Sequence, residues 1–312
     1  MQRRVWVIGP KDGASLAAIV AKAGGDAEAI RDGRVFIGKN RAISDRDAIA
    51  VGDKITITLA AARAADVDVL HHGDGLVVVA KPAGISTIPD QSGGEGTLIA
   101  RAASAIGKKP SDLHPTSRLD REVSGVVVFA TSKRAADALL EARANGAYAR
   151  RYVAIADRAP SPPVGRWNAA IGRAKDPKLR AAFAPDETRF EAKKSETVYR
   201  VVAEAHERAL LAVAPVTGRT HQIRVHASHG GAPLLGDKAY GGPHRLVVAS
   251  GKIVQIARIC LHCAWVEIPK AGKIARFSAP VPAELASTWT ALGGDAASWD
   301  TALACELSLS SD

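Results

Sequence analysis

The pattern of hydrophobic and polar positions separates a short N-terminal stretch from a longer, strand-rich remainder. In the first 60 residues, helical spacing of apolar positions gives way to strand alternation. The predicted elements are helices at 15–23 and 28–32 and strands at 35–37 and 53–59. The alanine-rich stretch that follows has no clear apolar face. We therefore predict a small module at 1–60, a linker at 61–65 and a second domain that starts at residue 66.

Beyond residue 66 the apolar runs mostly have the length and spacing of strands. Strands are predicted at 76–80, 126–130, 152–156, 197–203, 209–214 and 253–268. Helices are predicted at 132–145, with Thr131 as N-cap and an apolar face of Ala136, Leu139 and Leu140, and at 221–229, with Thr220 as N-cap. Because short turns separate many of the strands, we predict an α+β fold with a mixed, mostly antiparallel sheet and flanking helices.

Composition and charge narrow the class of partner. The chain has 312 residues, of which 47% are hydrophobic, so it can bury a substantial core. Its formal net charge of +10 favours a polyanion such as RNA, DNA or an anionic membrane. Residues 291–312 carry acidic side chains but no lysine or arginine. We predict a main domain at 66–290 and an acidic C-terminal tail at 291–312 that does not touch nucleic acid.

Cysteines and histidines do not predict a metal site. Cys260 and Cys263 form a C-x-x-C pair, but no second pair occurs, and residues three apart on a strand face opposite sides. Packed thiols are therefore expected. His221 and His229 could share a helical stripe, but no acidic ligand lies between them in a metalloprotease spacing. We interpret these histidines as hydrogen-bonding or packing residues and expect no metal.

The location and the assembly state are predicted from what the sequence lacks. No run approaches the roughly 20 apolar residues that span a bilayer, so no membrane association is expected. The sequence has three cysteines, too few for a disulfide framework, which favours a reducing compartment. We expect a cytoplasmic protein. It is expected to be a monomer because no exposed apolar stripe stands out.

The strongest candidate for chemistry is a carboxylate in the segment 114–125. Asp120 has Arg118 and Arg121 beside it in a turn that ends at Gly125, directly before the apolar strand 126–130. A loop anchored to a core strand can hold an exposed carboxylate rigidly in a cleft. Asp120 is therefore a candidate nucleophile, and a structural ion pair is the alternative.

Further motifs follow in a fixed order along the chain. They are KPAG at 81–84, RYVA at 151–154, GRTHQIRVH at 218–226, GDKAYG at 236–241 and RICLH at 258–262. With the Arg-Leu-Asp segment, they resemble the RluA-type RNA pseudouridine synthases. That resemblance implies isomerisation of uridine to pseudouridine, which involves neither redox change nor net water, so no cofactor is expected.

The resemblance also implies roles for particular residues. Asp120 matches the family's nucleophilic aspartate, and Arg219 would hold it ionised and aimed. Tyr152 matches the tyrosine that stacks on the target base and whose hydroxyl helps with the C5 proton, with a core tyrosine as the alternative. The basic residues Arg118, Lys81 and Arg224 are assigned to RNA contacts; for Lys81 a solvated lysine is an equal alternative.

The N-terminal module resembles an S4-type RNA-binding domain. In that family, basic residues around the turn after the second helix meet the RNA backbone. The matching residues here are Arg31, Arg34, Lys39 and Arg41. A small solvated packing domain is the alternative.

The expected substrate is structured RNA, with large-subunit ribosomal RNA favoured over transfer RNA because of the S4-like module. The family pattern usually has His and Thr where this chain has Ser117 and Val123. A catalytically inactive RNA-binding or ribosome assembly factor of the same fold is therefore the alternative function. A glycoside hydrolase is disfavoured, since Glu122 is the only acid placed suggestively after Asp120.

Overall fold

The computed structural model describes residues 3–10, 12, 15–23, 29–30, 35–38, 40–58, 67–89, 96–248, 251–270 and 272–307. The chain forms two compact units, Met1–Asp66 and Val67–Asp312. The linker predicted at 61–65 lies outside the described residues, at the end of the first unit.

In its described residues, the first unit has one helix and a four-stranded antiparallel sheet. Its elements are β1 (Arg3–Val7), α1 (Leu16–Lys22), β2 (Val35–Ile37), β3 (Asn40–Arg41) and β4 (Lys54–Thr58), and the strand order is β1-β4-β2-β3. Ser15 caps α1 by accepting the backbone N–H of Ala18. The helix buries Leu16 and Ile19 in the same apolar cluster as Ile55 of β4. The second helix, predicted at 28–32, falls mostly outside the described residues.

The second unit is built on a ten-stranded sheet with two small hairpins. The strands are β5 (Asp68–Gly73), β6 (Leu76–Lys81), β7 (His114–Pro115), β8 (Ser124–Ala130), β9 (Ala149–Ala156), β10 (Val164–Trp167), β11 (Ala170–Arg173), β12 (Arg180–Phe183), β13 (Thr197–Ala205), β14 (Arg208–Pro215), β15 (Arg245–Val247), β16 (Ile253–Gln255), β17 (Leu261–Lys270) and β18 (Lys273–Ser278).

The large sheet has the order β10-β13-β14-β9-β17-β8-β6-β5, with β18 also on β17 and β7 also on β8. All its pairs are antiparallel except β17 with β8. Strands β6, β8, β9 and β14 are almost wholly buried, as their continuous apolar runs predict. The predicted mixed, mostly antiparallel α+β fold is confirmed.

Two apolar clusters cover the two faces of this sheet. Along β9, Tyr152 and Ala154 belong to one cluster and Val153 and Ile155 to the other, as strand alternation requires. Cys263 lies in the first cluster and Cys260 in the second, and both thiols are buried. The two thiols therefore pack in separate clusters.

Among the described residues of the second unit, five α-helices accompany the sheet. They are α2 (Leu98–Ala105), α3 (Lys133–Ala144), α4 (Gln222–His229), α5 (Ala283–Ala291) and α6 (Ser298–Ala304), with 3₁₀ turns at Pro110–Asp112, Arg189–Glu191 and Lys238–Tyr240. No helix in the described part of the chain is long and apolar enough to cross a bilayer.

Three details of the predicted helices are wrong. The N-cap of α3 is Ser132, whose hydroxyl accepts the N–H of Ala135, and not Thr131. Leu140, expected on the buried face of α3, is exposed. The N-cap position of α4 is His221 rather than Thr220, because the chain turns through a left-handed residue there.

Two further boundaries differ from the sequence-based ones. The strand predicted at 253–268 is two strands, β16 and β17; between them Cys260 pairs with Leu235 and with Ile155 through backbone hydrogen bonds. The residues predicted as an acidic tail are packed onto the second unit: Trp299 and Ala302 of α6 are buried with the core, and Leu307 is buried too. Their apolar side chains outweigh the acidic character on which the tail was predicted.

Candidate active site

A cleft of about 470 Å³ opens beside the segment 114–125. Asp120 is its only acidic lining residue in the described part of the chain. The arginines that line it are Arg118, Arg121, Arg143, Arg150, Arg219 and Arg224. Arginines gathered around one carboxylate make a strongly positive concavity that attracts polyanions.

The loop that carries Asp120 is fixed on both sides of that residue. On one side, the Thr87 hydroxyl donates to the Leu119 carbonyl at 2.8 Å and accepts the Leu119 N–H at 3.1 Å. On the other side, the N–H of Val123 donates to the Asp120 carbonyl at 3.0 Å. Leu119 and Val123 are both buried. The backbone on both sides of Asp120 is therefore held in place, and the side chain of Asp120 points into the cleft.

The buried side chain of Lys81 holds this loop by hydrogen bonds to its backbone. Its side chain is 2% exposed, and its ammonium donates to the carbonyls of Pro82, Arg121 and Val123 at 3.0, 3.1 and 2.6 Å. Burial lowers the pKa of Lys81 to about 7, although the charge of Asp120 opposes this shift. The prediction that Lys81 contacts RNA is wrong, because all three donors of the ammonium are used inside the protein.

The end of the loop is joined to β17. Gly125 has φ +122°, and a Cβ there would lie 2.2 Å from the carbonyl oxygen of Cys263, so only glycine fits. One residue earlier, the hydroxyl of Ser124 is 2.8 Å from Nδ1 of His262. Nε2 of His262 is 3.3 Å from the Ala279 carbonyl. These contacts join β8 to its parallel neighbour directly after the loop.

The carboxylate of Asp120 is paired with Arg224. Nη1 of Arg224 donates to Oδ2 of Asp120 at 2.8 Å. Arg219, predicted for this role, donates through Nε and Nη2 to the Lys194 carbonyl and is exposed. The assignment of Arg219 as the partner of Asp120 is therefore wrong, and Arg224, which was assigned to RNA, is the partner instead.

Arg224 is itself held in place by a second acid. Its Nε and Nη2 donate to the two carboxylate oxygens of Asp237, at 2.7 and 2.9 Å, and Asp237 is 1% exposed. The guanidinium also lies 4.9 Å from the centre of the Tyr240 ring. With Nε and Nη2 committed to Asp237, Nη1 is left to point at Asp120, which fixes the carboxylate in one orientation.

Tyr152 lies on β9 and lines the same cleft. It is 6% exposed. Burial raises the pKa of Tyr152 well above its usual value, so the hydroxyl stays protonated. The cleft thus holds an aromatic ring and an arginine-bound carboxylate together.

His221 borders the cleft at the start of α4, with Nε2 3.8 Å from Oδ2 of Asp120. Its Nδ1 is 2.7 Å from the Tyr240 hydroxyl. That hydroxyl also accepts the backbone N–H of Arg180, at 3.0 Å. Burial lowers the pKa of His221, opposed by the charge of Asp120, so the ring is neutral near pH 7.

The remaining predicted site residues are placed as follows. Arg118 is exposed and lines the cleft two residues before Asp120. Arg41 is exposed on β3 of the first unit. Arg31, Arg34 and Lys39 lie outside the described residues.

Three residues that support the site were not predicted from the sequence. Asp237 stands in the GDKAYG motif, which was the signal for it, but no role was assigned to it from the sequence. Thr87 stands in no motif and carries no signal. Arg258 opens the RICLH motif; it donates to the carbonyl of Ile259 at 3.2 Å and pairs with Glu284 of α5 at 3.0 Å.

Comparison with known proteins shows the family of this chain. Residues 75–229 match the model of the RNA pseudouridylate synthase family. A protein of Chloroflexus aurantiacus named as an uncharacterized RNA pseudouridine synthase is 35% identical over 66% of this chain, which covers 63% of that relative. The ribosomal large subunit pseudouridine synthase D of Xanthomonas campestris is 30% identical, over 81% of this chain and 79% of its own length.

A solved structure shares the fold. Human RNA pseudouridylate synthase domain containing 4 superimposes with a TM-score of 0.58 at 25% identity, over 72% of this chain and 92% of that chain. The chain belongs to the RNA pseudouridine synthase family. It is thus a pseudouridine synthase by class, an isomerase that acts on RNA.

Proposed function

We propose that this protein isomerises specific uridines in structured RNA, within the large-subunit ribosomal RNA, and that Asp120 is its nucleophilic carboxylate. The observation that carries the proposal is the Asp120–Arg224 pair in an arginine-lined cleft that also contains Tyr152. The name of the Xanthomonas relative supports the choice of ribosomal RNA. The high positive charge of the cleft suits a phosphate backbone.

The reaction needs one bond broken and one formed. The N1–C1′ bond of uridine is cleaved, the uracil turns, and C5 bonds to C1′; C5 loses a proton and N1 gains one. Asp120 either adds to the sugar or the base or removes a ribose proton. Every route needs an ionised carboxylate, and Arg224 donates a charge-assisted hydrogen bond to the carboxylate of Asp120.

Tyr152 and Arg118 are assigned to holding the nucleotide. The ring of Tyr152 stacks on uracil, and its hydroxyl, kept protonated by burial, serves as a hydrogen-bond donor near the base. Arg118 stands exposed at the cleft and contacts phosphate or fills the space of the flipped nucleotide. Flipping is required because a stacked uridine cannot reach a carboxylate inside a cleft.

The two departures from the family pattern leave the carboxylate geometry intact. Ser117 lines the cleft, with its hydroxyl 3.4 Å from that of Tyr148, and Val123 is a core residue. Neither touches the Asp120–Arg224 contact. This supports an active enzyme over an inactive assembly factor.

The S4-like role of the first unit is part of the proposal. Arg41, with Arg31, Arg34 and Lys39, would add phosphate contacts and hence affinity. A cytoplasmic location and a monomeric state stay predictions from the sequence.

Pseudouridine mapping of total cellular RNA tests the function. RNA from cells without the protein is compared with RNA from cells complemented by wild type or by Asp120→Asn. We expect a small number of sites to disappear without the protein and to return only with wild type, because an amide is not a nucleophile. The amide is nearly the same size as the carboxylate, so RNA binding by the variant should persist.

Each other outcome has a definite meaning. Sites in transfer RNA would overturn the choice of ribosomal RNA. An unchanged map, with the protein still bound to RNA, would favour the assembly factor. Full activity of Asp120→Asn would exclude the nucleophile assignment.

A further inference from the structure

His221 has a backbone conformation that its side chain does not favour. Its φ and ψ are 57° and 18°, in the left-handed region, at the first turn of α4. Non-glycine residues adopt this region at a cost in free energy, and such outliers cluster where a side chain must be held in a particular place. The contacts of the imidazole show that the ring is held between Tyr240 and Asp120.

The hydrogen bonds of Tyr240 assign the proton of the imidazole. The Tyr240 hydroxyl accepts the Arg180 N–H, so its own proton can go to Nδ1 of His221, 2.7 Å away. The opposite tautomer would turn an Nε2 lone pair toward the Asp120 carboxylate. It would also leave the Tyr240 proton without an acceptor among the described side chains. Nε2 therefore carries the hydrogen.

The neutral state of the ring agrees with this assignment. Burial lowers the pKa of His221, and the nearby Arg224 and Arg180 act in the same direction, whereas Asp120 and Asp237 oppose it. A neutral imidazole with Nδ1 occupied by Tyr240 offers a single donor, and that donor faces the cleft beside Asp120.

The distance between the Nε2–H donor of His221 and the Asp120 carboxylate indicates which ligand group could lie between them. Nε2 of His221 and Oδ2 of Asp120 are 3.8 Å apart, too far for a direct hydrogen bond. An oxygen atom placed beside both could accept the Nε2–H and donate its own proton to the carboxylate. The ligand atom that fits is a hydroxyl, since it both accepts and donates.

An internal uridine of RNA offers one such group. Its N3–H only donates, and its carbonyl, ring and phosphodiester oxygens only accept; the ribose 2′-hydroxyl does both. We propose that His221 and Asp120 together bind the 2′-hydroxyl of the target nucleotide, which makes His221 a residue that selects ribose over deoxyribose. This inference rests on the proposed function and adds a substrate contact to it.

The contact also orients the sugar. C2′ is bonded to C1′, the carbon whose bond to N1 is broken, so a 2′-hydroxyl held beside Asp120 brings C1′ and C2′ close to the carboxylate. The same group thus serves recognition and alignment.

The test compares two RNAs in two proteins. Each RNA is a short transcript segment that carries the mapped site, with either uridine or a single 2′-deoxyuridine at the target. The proteins are wild type and His221→Asn, because asparagine tolerates the left-handed backbone but is too short to reach the hydroxyl. Single-turnover rates give the ratio of uridine to deoxyuridine for each protein.

We expect wild type to prefer uridine at least about 10-fold, the loss typical of one hydrogen bond. We expect His221→Asn to lose most of that preference by slowing on uridine alone. An equal fall on both RNAs, with the ratio unchanged, would show a structural role and overturn the proposal. If wild type turns over deoxyuridine too slowly to measure, the ratio of dissociation constants for the same two RNAs replaces the ratio of rates.

Two controls separate this inference from the proposed function. His221→Gln restores an N–H donor of longer reach and should recover part of the preference. Absence of pseudouridine from wild type on the uridine RNA would refute the proposed function itself. Normal wild-type turnover with no discrimination between the two sugars would refute only the role of His221.

Discussion

At the scale of single residues, the decisive choice is which arginine meets Asp120. Two arginines of the GRTHQIRVH motif, Arg219 and Arg224, are candidates and lie five residues apart in the sequence. Arg219 precedes the left-handed turn at His221 and projects to the exposed Lys194 carbonyl. Arg224 lies within α4 and is 7% exposed. Burial and the fork to Asp237 make Arg224 the residue that aligns the carboxylate.

Matched substitutions of the two arginines test this choice. We expect Arg224→Lys to lower the single-turnover rate by about 100-fold or more, because a lysine cannot bind Asp237 and Asp120 together, and a displaced nucleophile is costly. Arg219→Lys should stay within about 3-fold, since an exposed cation can be replaced by another. Rates at saturating RNA, with folding checked by circular dichroism, are the measurement; similar losses in both variants would contradict the assignment.

At the scale of elements, the parallel pair of β8 and β17 anchors the catalytic loop. Within this pair His262 is matched with Ser124 and Cys263 with Gly125. His262 is 2% exposed, and with Nδ1 accepting from Ser124 its Nε2–H donates to the Ala279 carbonyl. Burial lowers the pKa of His262 to about 4. The junction thus depends on a neutral histidine.

This junction predicts a pH dependence of stability. In the folded protein His262 stays neutral down to about pH 4, whereas the unfolded chain binds a proton below its ordinary pKa of 6.5. Acid therefore favours the unfolded state. Relative to His262→Gln, wild type should lose about 2 kcal/mol of unfolding free energy between pH 7 and pH 5. Urea titrations at both pH values measure this, and a difference between the proteins that does not change with pH would contradict it.

At the scale of the whole molecule, the net charge of +10 has two proposed uses. One is the cleft of the second unit, where arginines surround Asp120. The other is the first unit, whose basic residues are proposed to contact phosphates. Each phosphate contact releases counterions from the RNA. The slope of log K against log salt is therefore proportional to the number of phosphate contacts.

Neutralising the first unit should flatten that salt dependence. The variant changes four residues to glutamine: Arg31, Arg34, Lys39 and Arg41. If all four contact phosphates, the slope of log K against log salt should fall in magnitude by about 3. A control with equal charge loss at exposed positions that do not line the cleft changes Lys108, Lys133, Arg134 and Lys252. Equal slopes for the two variants would refute the role proposed for the first unit.

The sequence by itself determined the fold class and the family. Continuous apolar runs predicted β6, β8, β9 and β14, because a strand buried on both faces needs apolar residues at every position. The RluA-type motifs gave the family and pointed to Asp120, since motif spacing is a local property that needs no coordinates. The sequence also placed Tyr152 on a strand, and β9 brings it into the cleft.

Only the tertiary structure decided how these residues meet. Arg219 and Arg224 are both plausible partners on the chain, and the left-handed turn at His221 separates their directions. Lys81 resembles a solvated lysine until the loop 40 residues later folds over it, where the carbonyls of Arg121 and Val123 accept two of its three hydrogen bonds. The segment predicted as an acidic tail contains the packed helix α6, because the side chain of Trp299 is buried in an apolar cluster against the sheet. Such contacts join residues distant in sequence, and no local pattern encodes them.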